Sequence, residues 1–285
     1  MNANEAILVW ADEYSRMAAV YEARVVPRFE PVARLVLVAA APRSGEMFLD
    51  IGTGTGLLAR LLAPAVLPQN VVALDLADEA ISVGSYRAGD AGIRNIRFEM
   101  MDSRNIVYRS RLFDGVVSNL GVPNLGYDRT FAEVHRVLKP GGRFAFSEWD
   151  AREPEGWGTV FDLLGAHGTR SPSKGLAQVR EARAVTRGDE EARALREPDR
   201  VTAALEASGF AQVEVSTKSF ETLFRSLDDL LGFVAAWGWP DRELAEMGPE
   251  GRRAFDAALE GRLGGRLGPG GIADDWTIHV YTARP

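Results

Sequence analysis

The sequence predicts an α/β fold, an open and mostly parallel sheet of seven strands. Three observations point there. Short apolar runs alternate with helical patterns from Met47 to Glu148. The run Phe48-Leu49-Asp50 leads into Ile51-Gly52-Thr53-Gly54-Thr55-Gly56 and then Leu57-Leu58, which reads as strand, tight turn, helix. Two of the apolar runs, ending at Asp50 and Asp75, stop at an acid.

Composition narrows the function. The chain has 285 residues, 46% of them hydrophobic, enough for a sizeable core. A formal net charge of −7 argues against nucleic acid as main partner, because phosphate binding needs a basic footprint. With no cysteine there is no disulfide, thiolate nucleophile or thiolate metal site, and no metal is expected. The first residues carry Glu5, Asp12 and Glu13 and lack a secretory apolar core. Val32 to Pro42 is too short to span a bilayer, so a soluble cytoplasmic protein is expected.

Ala3 to Arg24 is expected to be helical, with Trp10, Tyr14, Met17, Ala18 and Tyr21 at helix spacing. Pro27 and Pro31 should interrupt it before Val32 to Ala40 restarts a helix. The glycine loop follows. Its glycines bring backbone N–H groups close to a ligand, at a helix start that favours polar or anionic groups. A dinucleotide loop, Gly-x-Gly-x-x-Gly, would need glycine at Leu57, but the third glycine comes one residue early, at Gly56. This loop resembles motif I of the class I S-adenosylmethionine (SAM) methyltransferases. There acid-x-Gly-x-Gly-x-Gly lines the methionine end of the cofactor. The resemblance implies a Rossmann-like sheet and cofactor contacts from Asp50, Gly52, Thr53, Gly54 and Gly56. It also implies a helical preface, in which the Tyr21-Glu22 pair offers Tyr21 to the SAM carboxylate; Tyr21 reads equally as a core residue.

Asn70 to Asp75 is the second strand, 19 residues separating Gly56 from Asp75. A carboxylate at that strand tip accepts from both ribose hydroxyls, for SAM and NAD alike; a helix cap is the plainer reading. Leu76 adjoins it at the cofactor. Ile93 to Met101 is the third strand, and Asp102-Ser103 after it match the family's adenine contact, or a turn. Phe113 to Leu120 is the fourth strand, with Asn119 at its carboxyl end facing the crevice. Phe131 to Leu138 is a helix. Lys139-Pro140-Gly141-Gly142 resembles the family's structural turn, and Arg143 to Glu148 is the fifth strand.

Beyond Asp150 the pattern loosens. Trp157 to Leu164 and Leu223 to Trp237 read as apolar helices, broken after the second by Gly238-Trp239-Pro240. Ser171 to Arg200 is polar, Val201 to Ser208 helical, and Arg252 to Leu263 helical. Ala211 to Val215 and Trp276 to Tyr281 are the last two strands. The expected organisation is one domain over residues 1–285: N-terminal helices to 42, a SAM-binding core over 43–150, and helical inserts at 151–200 and 220–270. The two apolar helices are expected to form a lid, facing each other across an acceptor site.

Five of the six tryptophans follow the fifth strand, where relatives build the acceptor pocket, which implies a small apolar or aromatic acceptor. His167 is the candidate base, with His279 behind it. The implied reaction is in-line methyl transfer, and the nearest likeness is the ubiquinone/menaquinone-biosynthesis-like group. A non-catalytic SAM-binding protein and, further off, an NAD-dependent oxidoreductase are the alternatives.

Overall fold

The computed structural model describes residues 1–123, 127–186 and 194–285. In chain order the elements are α1 (Ala3–Arg24), α2 (Val26–Ala40), β1 (Phe48–Ile51), α3 (Leu57–Leu62), β2 (Val71–Asp75), α4 (Asp78–Asp90), β3 (Ile96–Met100) and β4 (Phe113–Asn119). Then come α5 (Tyr127–Val137), β5 (Leu138–Trp149), α6 (Glu155–His167), α7 (Lys174–Thr186) and α8 (Pro198–Ala207). The chain closes with β6 (Ala211–Phe224), α9 (Leu227–Ala235), α10 (Trp239–Glu246), α11 (Gly248–Leu263) and β7 (Ile272–Arg284). Part of the expected polar stretch 171–200 lies outside the described residues.

The strands form one sheet in the order β3-β2-β1-β4-β5-β7-β6. β1 through β5 are parallel neighbours, and β7 runs antiparallel to β5. Parallel strands need crossover connections, and helices supply them after β1, β2 and β4, while β3 passes to β4 without one. The register sets the carboxyl ends at nearly one level: Asp50 lies beside Ala73 and Val117, Asp75 beside Met100, and Asn119 beside Ser147.

The described chain divides into two compact units. The core unit is Phe29–Ala151, Asp189–Lys218 and Ile278–Pro285. One sheet face carries Phe131, Phe144, Phe146, Phe210 and Tyr281, all buried. The other carries Val36, Ala40, Leu58, Leu62 and Val66 against Phe48, Val71 and Ala145. The second unit is Met1–Arg28, Arg152–Gly188 and Ser219–Thr277, so the N-terminal helix joins the insert helices. Its centre is aromatic: the Trp157 ring lies 4.4 Å from that of Trp237 and 5.6 Å from that of Trp276. The two apolar helices, expected to stand opposite each other across an acceptor, thus pack directly on one another within this unit.

Several element boundaries differ from expectation. α2 runs unbroken from Val26 to Ala40: Pro27 falls in the first turn, where no N–H bond is lost, and Pro31 is accommodated inside the helix. β6 extends to Phe224, nine residues past the expected end at Val215, and displaces the start of the following helix to Leu227. Ser226 sets that start by accepting from the Asp229 N–H at 3.1 Å. The Gly238-Trp239-Pro240 break is followed at once by a new helix, Trp239–Glu246. Leu138 already belongs to β5, and Lys139-Pro140-Gly141-Gly142 is a bulge in it: pairing passes from Phe113–Leu138 directly to Gly115–Arg143.

Candidate functional site

The site is built from the strand ends β1, β2 and β4 and the loops that leave them. Gly52, Gly54 and Gly56 all have positive φ, so the chain reverses within five residues of β1. The Thr53 N–H donates to the Leu74 carbonyl at 2.9 Å, tying the loop to β2. The Gly54 N–H donates to Asp75 Oδ2 at 2.7 Å, and the Ala77 N–H to Oδ1 at 2.9 Å. Asp75 thus fixes the glycine loop from the end of β2.

Two glycines do different work. A Cβ on Gly52 would lie 2.3 Å from the Gly121 carbonyl oxygen, so the loops after β1 and β4 touch backbone to backbone. A Cβ on Gly54 would meet nothing within 4 Å. That open space over the loop is a cradle a side chain would fill, and it fits a ligand lying along the backbone.

Asp50 is fully buried. Its Oδ2 accepts from the Thr53 hydroxyl at 2.6 Å, while Oδ1 has no hydrogen-bond partner among the described residues. Burial pushes the carboxyl up to about 7, against the opposing pull of the Thr53 hydroxyl and the Ala59 N–H. Burial also raises Asp75, against the Ala77, Gly54 and Leu76 N–H groups. A buried carboxyl with an unfilled oxygen suits a cationic ligand group, such as an ammonium.

The other predicted residues follow the strand ends. Leu76 is partly buried in the bend after Asp75, and the Met101 N–H donates to the Asp75 carbonyl at 2.9 Å, bringing Asp102 and Ser103 alongside. Asp102 is clamped by its own neighbour: Arg104 Nε and NH2 reach its two oxygens at 3.0 and 2.7 Å. Burial pushes Asp102 up, but Arg104 outweighs it and holds the carboxyl below its usual range. Asn119 Oδ1 accepts from the Ser147 hydroxyl at 3.0 Å, and that hydroxyl accepts from the Leu120 N–H at 3.0 Å.

The core unit therefore gathers Asp50, Gly52, Thr53, Gly54, Gly56, Asp75, Leu76, Asp102, Ser103 and Asn119. Tyr21 and His167 belong to the second unit. Tyr21 is partly buried and meets Tyr14 edge-on at 6.1 Å. His167 is the last residue of α6, partly buried. His279 is buried in β7 of the core unit, with Nε2 3.1 Å from Asp150 Oδ2 and Nδ1 2.9 Å from the Thr217 hydroxyl.

Three features at the same sheet end were missed. Leu120 adopts φ +57 directly after Asn119, a left-handed conformation costing about 1–2 kcal/mol for a side-chain-bearing residue. Gly121 makes the contact with Gly52, a backbone approach between residues far apart in the chain. The Tyr127 hydroxyl donates to the buried Glu148 Oε2 at 2.7 Å, at the end of β5. Burial, then the Glu148 charge, lift the Tyr127 phenol well above its ordinary value. An acid ending the fifth strand was visible in the sequence, as at Asp50 and Asp75, but its tyrosine partner was not.

Residues 48–142 match the family described as Methyltransferase domain. The chain is similar to nocamycin O-methyltransferase of Saccharothrix syringae, 26% identical over 95% of this chain and 96% of that protein. It is 29% identical to demethylmenaquinone methyltransferase of Deinococcus radiodurans, over 70% of this chain and 88% of that protein. Among solved structures, the YcgJ protein of Bacillus subtilis shares the fold with a TM-score of 0.57 at 20% identity, covering 89% of this chain and 97% of that one.

Proposed function

We propose that this chain, a member of the class I SAM-dependent methyltransferases, moves the cofactor's methyl group to a small apolar or aromatic molecule. The observation that carries the reading is the linked set of Asp50, the open cradle at Gly54, and Asp75 bonded to the Gly54 N–H. The relatives' names, for nocamycin and demethylmenaquinone, support a small-molecule acceptor, and the net charge of −7 disfavours a nucleic acid. Among the described residues no helix is long and apolar enough to cross a membrane, which is consistent with a cytoplasmic enzyme.

Each residue has a role in this reading. Asp50 faces the methionine ammonium. Asp75 accepts from the ribose hydroxyls, and Leu76 lies against the same sugar. Asp102 and Ser103 border the adenine, with Arg104 fixing the carboxylate that meets the exocyclic amine. Asn119, held by Ser147, borders the methyl-bearing end. SAM supplies a methyl on a sulfonium; the chain's work is to hold an acceptor in line with it and exclude water. Such positioning is worth about 7–11 kcal/mol of barrier. Tyr21 for the cofactor carboxylate and His167 as a base remain the candidates from the second unit.

The test is calorimetry on the full chain with SAM, S-adenosylhomocysteine and NAD. The first two should bind with Kd values on the order of micromolar, about −8 kcal/mol, and NAD should not bind. Tighter binding of NAD than of SAM would overturn the assignment. Turnover is then screened by methyl transfer to phenols, quinols, amines and acids, with apolar aromatic acceptors expected to lead.

A further inference from the structure

We propose that the edge strand β6 docks a second copy of this chain, pairing antiparallel with its own counterpart about Ser216. The proposal is independent of the methyl-transfer reading. β6 ends the sheet order, so among the described residues one side of its backbone has no strand neighbour in the sheet. Its other side faces β7, where the Thr217 hydroxyl meets His279 Nδ1 at 2.9 Å. From Glu214 to Lys218 every residue is exposed, including Val215 at 44%. An exposed edge with an apolar side chain is a template for strand addition unless something blocks it.

A lysine within an edge strand is ordinarily such a block, since bringing two copies together buries or opposes its charge. Here Lys218 has an acid four residues earlier on the same face, Glu214. A two-fold axis normal to the sheet keeps each face on its own side, so only residues of like parity can stand opposite one another. Centred on Ser216, that axis sets Glu214 against the second copy's Lys218, and Lys218 against its Glu214. On the reverse face Val215 meets Thr217, twice. Centred on Glu214 or on Lys218, the same strand would oppose identical charges. The charge pattern therefore admits self-pairing and favours the Ser216 register, where alone the two opposite charges meet, and what blocks foreign strands becomes complementary toward a second copy.

The test uses sedimentation equilibrium on the full chain. The wild type should reach twice the chain mass of 31.1 kDa. Glu214→Lys opposes lysine to lysine, and Lys218→Glu opposes glutamate to glutamate. Each should raise the dimer dissociation constant about tenfold or more. An equimolar mixture of the two single variants should recover the dimer, because each then meets its complement. The Glu214→Lys/Lys218→Glu double variant should match the wild type. Both positions are exposed, and unchanged circular dichroism and melting temperature verify folding of every variant. A wild type that stays monomeric at about 100 μM, a concentration that detects even weak pairs, overturns the proposal. So does a dimer that the single reversals leave intact, or one that the mixture fails to restore.

Discussion

Asp50 concentrates the chemistry of the site in one carboxyl group. Its folded value near 7 stands above the ordinary 3.8, so on raising the pH the unfolded chain loses this proton first. Burial of Asp50 therefore costs nothing below about pH 4, and the cost grows through the interval up to pH 7 and is constant above it. The full cost is roughly 4 kcal/mol. Asp50→Asn should make the ligand-free protein relatively more stable at pH 8 than at pH 4, read by denaturant midpoints at the two values. A bound ammonium reverses the preference, so S-adenosylhomocysteine binding at pH 7 should release about half a proton, since a group titrating near 7 is half protonated there. Calorimetry in buffers of different ionisation enthalpy counts that proton, and Asp50→Asn should abolish it. Asp75→Ala should weaken SAM by about 1–3 kcal/mol, since a charged acceptor of two hydroxyls is lost. An unchanged Kd would move the ribose contact elsewhere. The two loop glycines should separate binding from folding. Gly54→Val fills open space, so it should abolish cofactor binding while leaving a cooperative melt, apart from strain of about 1–2 kcal/mol at φ +55. Gly52→Ala drives a methyl into the Gly121 backbone and should lower the melting temperature itself.

At the scale of elements, the insert helices form a packed layer. Trp157 of α6 stacks against Phe233 of α9 at 6.2 Å and meets Trp237 edge-on at 4.4 Å. Asp274 of β7 caps the start of α6 by accepting from the Gly156 N–H at 2.8 Å. Arg180 and Glu243, the latter buried, join α7 to α10 at 2.7 Å. Helices held in this way should exchange their amide hydrogens slowly, with or without S-adenosylhomocysteine. Fast exchange over residues 157–167 that slows on binding would instead restore the lid expected from the glycines at 165, 168, 232 and 238. Trp157→Ala should destabilise the protein by about 3–5 kcal/mol, because it empties the middle of the ring cluster. A loss below about 1 kcal/mol would show that the layer closes up around the gap.

Across the whole molecule, what could be read in advance was local. Asp50, the three loop glycines, Asp75 and Asn119 each stand at the end of a strand whose apolar run fixes its position, and a tight turn is written in consecutive residues. The Lys139 to Gly142 segment was legible as a structural device for the same reason, though its form as a bulge depended on pairing with β4. The pairing of Asp102 with Arg104 is equally local but hidden, since composition does not say which donor a carboxylate takes. Sequence by itself thus determined the α/β class, the parallel core, the glycine loop after β1 and the acid that ends β2, all products of short-range periodicity and backbone sterics. Only the tertiary structure decided that β6 runs on to Phe224, that Gly121 must yield space to Gly52, and that Tyr127 reaches Glu148. It likewise decided that α1 joins the inserts in one compact unit and that Trp157 packs on Trp237. Those outcomes depend on contacts between residues far apart in the chain, and burial energy leaves no periodic mark of which distant partner a side chain will find.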